Sequence, residues 1–374
     1  MQKYIFLLAI VLGFMACKDQ ETPNPIITDI ESDYANRGEM ITITGSNFTN
    51  ETEIEINGIP VEIVGVTSEG IQIKVPENAT AGDLIVKQGN TEINTGYFHI
   101  YTPATALYYT FWNDNEVSFI NLLANNSISV LYDNQNINDY PNGLTHDKNG
   151  YLYFAEEVSN RIIKAKEDGS SFEVLYDSED GVSTPSSITI DYSTNKLYWT
   201  NKGNGAIMVG NTMGTEVPYP LFGEQEVLWY SYGIQVDSIN SKIYFSDFIG
   251  SIKVGELDGT GTPTVIYDTN NTDKIYWPSD IYTDFLRGKI YWTDESLSVI
   301  MEANIDGSGD IKELFNTSDG LNRTDGVYVD YAMGKIYWSE TNNQQICRGN
   351  LDGSGEKEVL ANGPRSYGMY LKFE

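Results

Sequence analysis

From residue 104 onward, short apolar runs recur at a nearly fixed interval. Leu107-Tyr108-Tyr109-Thr110, Leu152-Tyr153-Phe154-Ala155, Leu197-Tyr198-Trp199-Thr200, Ile243-Tyr244-Phe245-Ser246, Ile290-Tyr291-Trp292-Thr293 and Ile336-Tyr337-Trp338-Ser339 share one pattern, and their tyrosines stand 45, 45, 46, 47 and 46 residues apart. A second motif precedes each run but the first: Gly143 to Asp147, Ser187 to Asp191, Gly233 to Asp237, Asp280 to Asp284 and Gly326 to Asp330. Asp-Gly turns follow four of the runs, at Asp168, Asp258, Asp306 and Asp352. Each unit therefore predicts an inner strand, an aromatic strand, a strand ending at the turn and an outer strand such as Phe172 to Tyr176, which together make one propeller blade. The first unit lacks an inner strand, while Ser366 to Leu371 is an inner strand with no blade after it. The last strand is expected to complete the first blade and close a six-bladed ring with no open edge.

Ahead of the repeats the period changes to two. Ile41-Thr42-Ile43-Thr44 runs into Gly45-Ser46-Asn47-Phe48, Ile54 and Ile56 alternate with Glu53 and Glu55 before Asn57-Gly58, and Ile71 to Val75 and Leu84 to Val86 supply further strands. Asn-Gly between alternating runs is a strong short hairpin signal. So many short strands in residues 25–102 predict an immunoglobulin-like sandwich. The fold class expected is all-β, a sandwich followed by a propeller over residues 103–374.

Lys3 precedes an apolar run from Tyr4 to Phe14 that is too short to span a bilayer, and Ala16 then precedes Cys17. Residues 1–16 read as a signal peptide. Phe14-Met15-Ala16-Cys17 resembles the bacterial lipobox, which implies lipidation of Cys17 and a tether over residues 17–24. Lys18-Asp19-Gln20-Glu21 resembles the surface-export signal of Bacteroidetes lipoproteins, which implies an outer-membrane location facing the cell exterior.

Two family resemblances follow from the motifs. The Gly38-led strand with Gly45-Ser46-Asn47-Phe48, then Asn57-Gly58, Val75-Pro76 and Ala81-Gly82 in order, resembles the IPT/TIG family and implies a stalk. Ile290-Tyr291-Trp292-Thr293-Asp294 and its five relatives resemble the YWTD repeat of the LDL-receptor class B family, a six-bladed propeller. Tyr109 stands in place of the Trp in the first repeat and Ala155 in place of the Thr in the second.

Twenty-three Lys plus Arg against 53 Asp plus Glu give a net charge of −30, which repels phosphate backbones and argues against nucleic acid as a partner. With only two histidines, a multi-histidine metal centre is excluded and a His-based triad is hard to build. The aspartates repeated at Asp147, Asp191, Asp237, Asp284 and Asp330 each end an inner strand before a turn, where a carboxylate accepts backbone N–H groups. They are expected to be scaffold, as are the Tyr-Trp positions, and Cys347, aligned with Met301 and Ile163, is expected to be a packed small hydrophobe. No catalytic residue, metal site or cofactor is expected.

Symmetry breaks in the loop leading into each inner strand. Three residues before the Gly position stand Tyr140, Thr184, Tyr230, Trp277, Arg323 and Arg365; one residue before it stand Asn142, Ser186, Tyr232, Ser279, Asp325 and Tyr367. Trp229 adds a ring, and Trp112 projects from the first aromatic strand's loop on the same face. The expected ligand-binding mouth comprises Tyr140, Asn142, Trp229, Tyr230, Tyr232, Trp277, Arg323, Asp325, Arg365 and Tyr367. Aromatic planes beside Arg, Asn and Asp suit a sugar, whose C–H faces stack while its hydroxyls take directed hydrogen bonds. They suit a protein ligand equally well. The expectation is a lipid-anchored surface binding protein, capturing glycan for a Sus-type uptake system or serving as an adhesin or accessory subunit of a TonB-dependent outer-membrane transporter. A propeller lyase or lactonase is the third reading.

Overall fold

The computed structural model describes residues 23–373, apart from 68, 113, 136, 138, 224–230 and 364. The expected leader and Cys17 lie outside the described residues. Two compact units part between Ile100 and Tyr101.

The first unit is a sandwich. One sheet has the order Ile26–Ile30, Met40–Ser46, Gly70–Lys74, Glu62–Val66, and the other Tyr34–Asn36, Thr91–Tyr101, Gly82–Gln88, Glu53–Ile56, Ile59–Pro60. The period-two residues meet between them: Ile41, Ile43, Ile54, Ile56, Ile71, Ile73, Leu84 and Val86 are all buried in one cluster.

The second unit is six four-stranded antiparallel sheets, each a blade. Blades two to six each use four consecutive strands, with inner strands Pro141–His146, Pro185–Asp191, Ser231–Asp237, Pro278–Asp284 and Thr324–Asp330. Blade one takes Ala104–Phe111, Glu116–Asn121 and Ser127–Tyr132 from the start of the unit and Met369–Phe373 from its end. Tyr109 pairs with Met369 and Leu107 with Leu371 across that closure. The ring is therefore sealed by the C-terminal strand, as the missing inner strand of the first repeat required.

Inner strands run side by side around the axis, and the Gly register is where they come closest. A Cβ on Gly368 would stand 2.3 Å from the Asn142 carbonyl oxygen of the next blade, and one on Gly143 would stand 2.5 Å from Ser187 Cα. The motif tryptophans Trp199, Trp292 and Trp338 are fully buried between blades. Cys347 is buried opposite Trp338 in blade six, in the register that Met301 holds opposite Trp292.

The repeated aspartates close the turns at the far ends of the inner strands. Asp147 accepts from the Asn149 and Tyr151 N–H groups, Asp191 from Ser193, Asp237 from Asn240, and Asp284 from Leu286 and Arg287. Asp330 accepts from Met333 and also from the Ala104 N–H, tying blade six to blade one.

Candidate functional site

The mouth is built by two loops per blade, and of the second the sequence pattern draws attention only to Trp112. One leads into the inner strand; the other begins just after the aromatic strand. They are joined by a repeated backbone hydrogen bond. Trp112, Glu157, Lys202, Glu295 and Thr341 each donate their N–H to the carbonyl of Arg365, Tyr140, Thr184, Trp277 and Arg323 respectively, at 2.9–3.2 Å. A second bond pins three of these rim residues from the preceding blade: Tyr140 N–H to Asn115 Oδ1, Thr184 N–H to Asn160 Oδ1 and Arg323 N–H to Ser298 Oγ. Tyr140, Thr184 and Arg323 accordingly sit at φ +33°, +47° and +59°. Non-glycine residues adopt this left-handed region at a cost, and the pairing across blades holds them there.

In blade five the last residue of the aromatic motif supports the arrangement from below. Asp294, fully buried, accepts the Tyr276 and Trp277 N–H groups on one oxygen and those of Ser296 and Leu297 on the other. Burial raises its carboxyl above the usual range against these four bonds.

Two aromatic shelves result. Trp112 lies 4.3 Å from Tyr140 and 5.9 Å from Tyr367, centroid to centroid. On the other, Trp277 stacks on Phe248 at 4.6 Å, with Tyr276 and Tyr232 alongside at 5.8 and 6.1 Å. Of the expected site residues, Trp229 and Tyr230 lie outside the described residues. Phe248, Glu157, Lys202 and Glu295 were missed by the sequence reading, although each directly follows the last residue of an aromatic motif, the register that singled out Trp112.

Polar groups stand between the shelves. Glu157 is shared by Asn142, which donates to it at 2.8 Å, and Lys202 at 3.0 Å; the Lys202 ammonium also lies 4.9 Å from the Tyr232 ring centre. Arg323 is ion-paired with Glu295. Asp325 is only 3% exposed, and its Oδ2 has no hydrogen-bond partner. Burial, then Glu295, push the Asp325 carboxyl well above the usual carboxylate range, against the pull of Arg323 and Ser279. Burial pushes the Tyr367 phenol up to about 12, with Asp325 adding to the shift, and the Tyr232 phenol is raised by burial, Glu295 and Glu157. At neutral pH these phenols are donors, and burial shifts the Asp325 carboxyl towards its protonated, donating form.

Below the mouth, Asp280 replaces the glycine of its register and accepts the Val327 N–H of the next blade at 3.1 Å. Burial pushes its carboxyl up to about 7. Two residues further along the inner strands, blades two to four carry Thr145, Thr189 and Gln235, whereas blades five, six and one carry Tyr282, Tyr328 and Tyr370. Tyr328 lies 4.7 Å from Tyr282 and 5.5 Å from Tyr370, ring to ring. The Tyr370 hydroxyl meets that of Tyr192 at 3.1 Å, and Tyr192 donates to the His146 carbonyl. This belt of phenols links five blades beneath the mouth. Among the described residues no group of three or more His, Cys, Asp or Glu is placed to hold a metal ion.

Residues 25–101 match the IPT/TIG domain family. The repeats are similar to the low-density lipoprotein receptor-related protein 1 of Pyricularia oryzae, 26% identical over 165 residues, 44% of this chain and 39% of that protein. The vitellogenin receptor Yl of Drosophila melanogaster is 22% identical over 179 residues, 45% of this chain and 8% of its own length. The chain thus spans two fifths or less of the curated relatives it matches. Among solved structures, a chain of a nidogen/laminin complex aligns with a TM-score of 0.61 at 18% identity, covering 70% of this chain and 97% of its own. A protein of unknown function from Bacteroides thetaiotaomicron aligns over 92% of this chain and 88% of its own, with a TM-score of 0.51 at 12% identity. The chain is thus a domain that matches the IPT/TIG family followed by a six-bladed propeller whose repeats are similar to those of low-density lipoprotein receptor-related proteins.

Proposed function

We propose that the propeller mouth is a binding site, that its ligand is a glycan, and that the protein is tethered through Cys17 to the outer membrane to capture it for an uptake system. One observation carries the reading: in the two aromatic shelves, Trp112, Tyr140 and Trp277 occupy registers whose shared feature across blades is a backbone hydrogen bond, and Tyr367 and Phe248 pack against them. Large rings there contribute to a ligand rather than to the blades. Separated stacking platforms with Asn142, Lys202, Arg323 and Arg365 around them suit pyranose faces and their hydroxyls.

A protein ligand is the second reading, favoured by Ile249 and Tyr276, which are 55% and 52% exposed on the rim beside Trp277. Titration against a polysaccharide panel, set beside a pull-down from native outer membranes, separates the two. Saturable glycan binding that Trp277→Ala weakens supports capture; a membrane protein retained by wild type but not by that variant, with no glycan bound, supports the alternative. The anchor is tested by Cys17→Ala, which is expected to release the protein from membranes, and surface display by protease added to intact cells.

A further inference from the structure

The mouth contains three described cations, and they are not equivalent. Lys202 is 3.0 Å from Glu157, and Arg323 is paired with Glu295. Arg365 has no carboxylate within ion-pairing distance among the described residues, and its enclosed Nε has no acceptor. Its backbone is fixed by the Trp112 N–H, donated to the Arg365 carbonyl at 2.9 Å, which anchors the residue beside one aromatic shelf. The electrostatic surroundings of the Tyr367 phenol include Asp325, Arg323, Glu295 and Arg365, so these groups share one corner of the mouth. Asp325 Oδ2, in a residue 3% exposed, and Arg323 Nε are further unsatisfied polar atoms there. Unpartnered polar atoms in a buried setting are costly unless something completes them.

We infer that this corner recognises a single carboxylate on the bound sugar, a uronic acid unit, with the Arg365 guanidinium as its counter-ion, Asp325 and Tyr367 as neighbouring donors and Trp112 as the stacking plane. The inference rests on the reading of the mouth as a glycan site. Arg323 and Lys202 are already neutralised by their own acids and add no net attraction. A guanidinium suits a carboxylate because its planar fork offers two parallel charge-assisted hydrogen bonds. A neutral sugar would leave that fork satisfied only by weaker bonds. The chain's net charge of −30 opposes a polyanion, but the repulsion of distant carboxylates is screened beyond about 8 Å at physiological ionic strength. The ligand therefore presents one acidic unit to the mouth rather than a run of them.

The test compares a glucuronate-terminated disaccharide with its glucose-terminated counterpart, which differs only by CH2OH in place of the carboxylate. Both are titrated calorimetrically into the full chain and its Arg365→Gln, Arg365→Lys and Trp112→Ala variants, with circular dichroism as the check on folding. Wild type is expected to prefer the uronate by about tenfold. Arg365→Gln is expected to erase the preference, and Arg365→Lys, which keeps the charge but not the fork, to retain part of it. Trp112→Ala should weaken both probes alike. Equal binding of the two disaccharides, or a preference that survives Arg365→Gln, overturns the carboxylate assignment; if Trp112→Ala still weakens both, the glycan mouth stands without it. Failure of both probes to bind wild type while a peptide ending in a free carboxylate does bind overturns both readings.

Discussion

Asp280 and Asp284 lie four residues apart on one inner strand and are held in opposite ways. Asp284, at the far end, accepts two backbone N–H groups of its own turn and faces the Arg287 guanidinium at 3.3 Å. Asp280, near the mouth, has displaced a glycine, reaches into the next blade for one backbone N–H, and is surrounded by protein that disfavours its charge. The same contrast holds around the ring. At the far ends five blades use aspartate for turn closure; at the mouth the six blades offer Asn142, Ser186, Tyr232, Ser279, Asp325 and Tyr367 in one register. Repetition marks groups that satisfy the chain's own backbone. Divergence within a fixed backbone frame marks groups that are free to satisfy something else.

Removing both ends of one strand at once gives the largest effect. Deleting Tyr367 to Glu374 takes away the inner strand of blade one, exposes the edge of Ala104–Phe111 and leaves the ring open. A large loss of stability, or loss of cooperative folding, is expected in thermal denaturation; a melting temperature within about a degree of wild type would show that closure contributes only tenths of a kcal/mol. Next, Asp330→Ala attacks the far end alone. It strands the Met333 and Ala104 N–H groups and should cost about 1–3 kcal/mol in denaturant unfolding, while any ligand affinity at the mouth stays unchanged. Loss of affinity without loss of stability would invert the assignment of scaffold and site.

How much of this was legible in the sequence follows the same division. The blade count, the closing strand and the role of the far-end aspartates could be read directly, because each is stated five or six times in one register and a repeated pattern outweighs local ambiguity. The rim residues before each Gly were legible as a set for the same reason. Their partners were not. Arg323 was expected at the mouth with no partner assigned, and its neutralising Glu295 lies 28 residues earlier on the loop of another blade, at a distance set by ring geometry rather than by spacing. Arg365 looked equivalent and is not. The left-handed backbones of Tyr140 and Thr184 were hidden too, since neither residue type advertises positive φ; the signal was Asn115 and Asn160, placed one blade earlier to hold them.

At the mouth end, single substitutions should separate affinity from stability. Trp277→Ala removes the ring stacked on Phe248 and is expected to weaken a stacking ligand by about 1–3 kcal/mol, by analogy with base–aromatic stacking. Its carbonyl still accepts the Glu295 N–H and its N–H still reaches Asp294, so the loop keeps its path and the melting temperature should move little. Trp292→Ala, fully buried in the same blade, is the contrasting case and should cost about 3–5 kcal/mol of folding free energy. Calorimetry and thermal melts on both variants place each tryptophan on one side of the comparison.

The finest distinction is in pH. Because burial raises the folded Asp280 carboxyl to about 7, while an unfolded aspartate titrates near 4, the native state holds a proton that the unfolded chain releases between those values. Stability contributed at this site is therefore unpenalised below about pH 4 and falls as pH rises towards 7, after which the penalty is constant. Asp280→Asn keeps an oxygen to accept the Val327 N–H but cannot ionise. Its melting temperature relative to wild type should climb from pH 4 to 7 and level off at pH 8. Asp325 adds to the difference in the same direction, since the Asp280 charge is one of the influences that raise its carboxyl, and the amide removes that charge. The complementary substitution at the far end, Asp284→Ala, is expected to lower the melting temperature, because it strands the Leu286 and Arg287 N–H groups. A difference between Asp280→Asn and wild type that stays flat from pH 4 to 8 would mean that Asp280 is solvated like any surface carboxylate, and the contrast between the two ends of its strand would reduce to sequence variation alone.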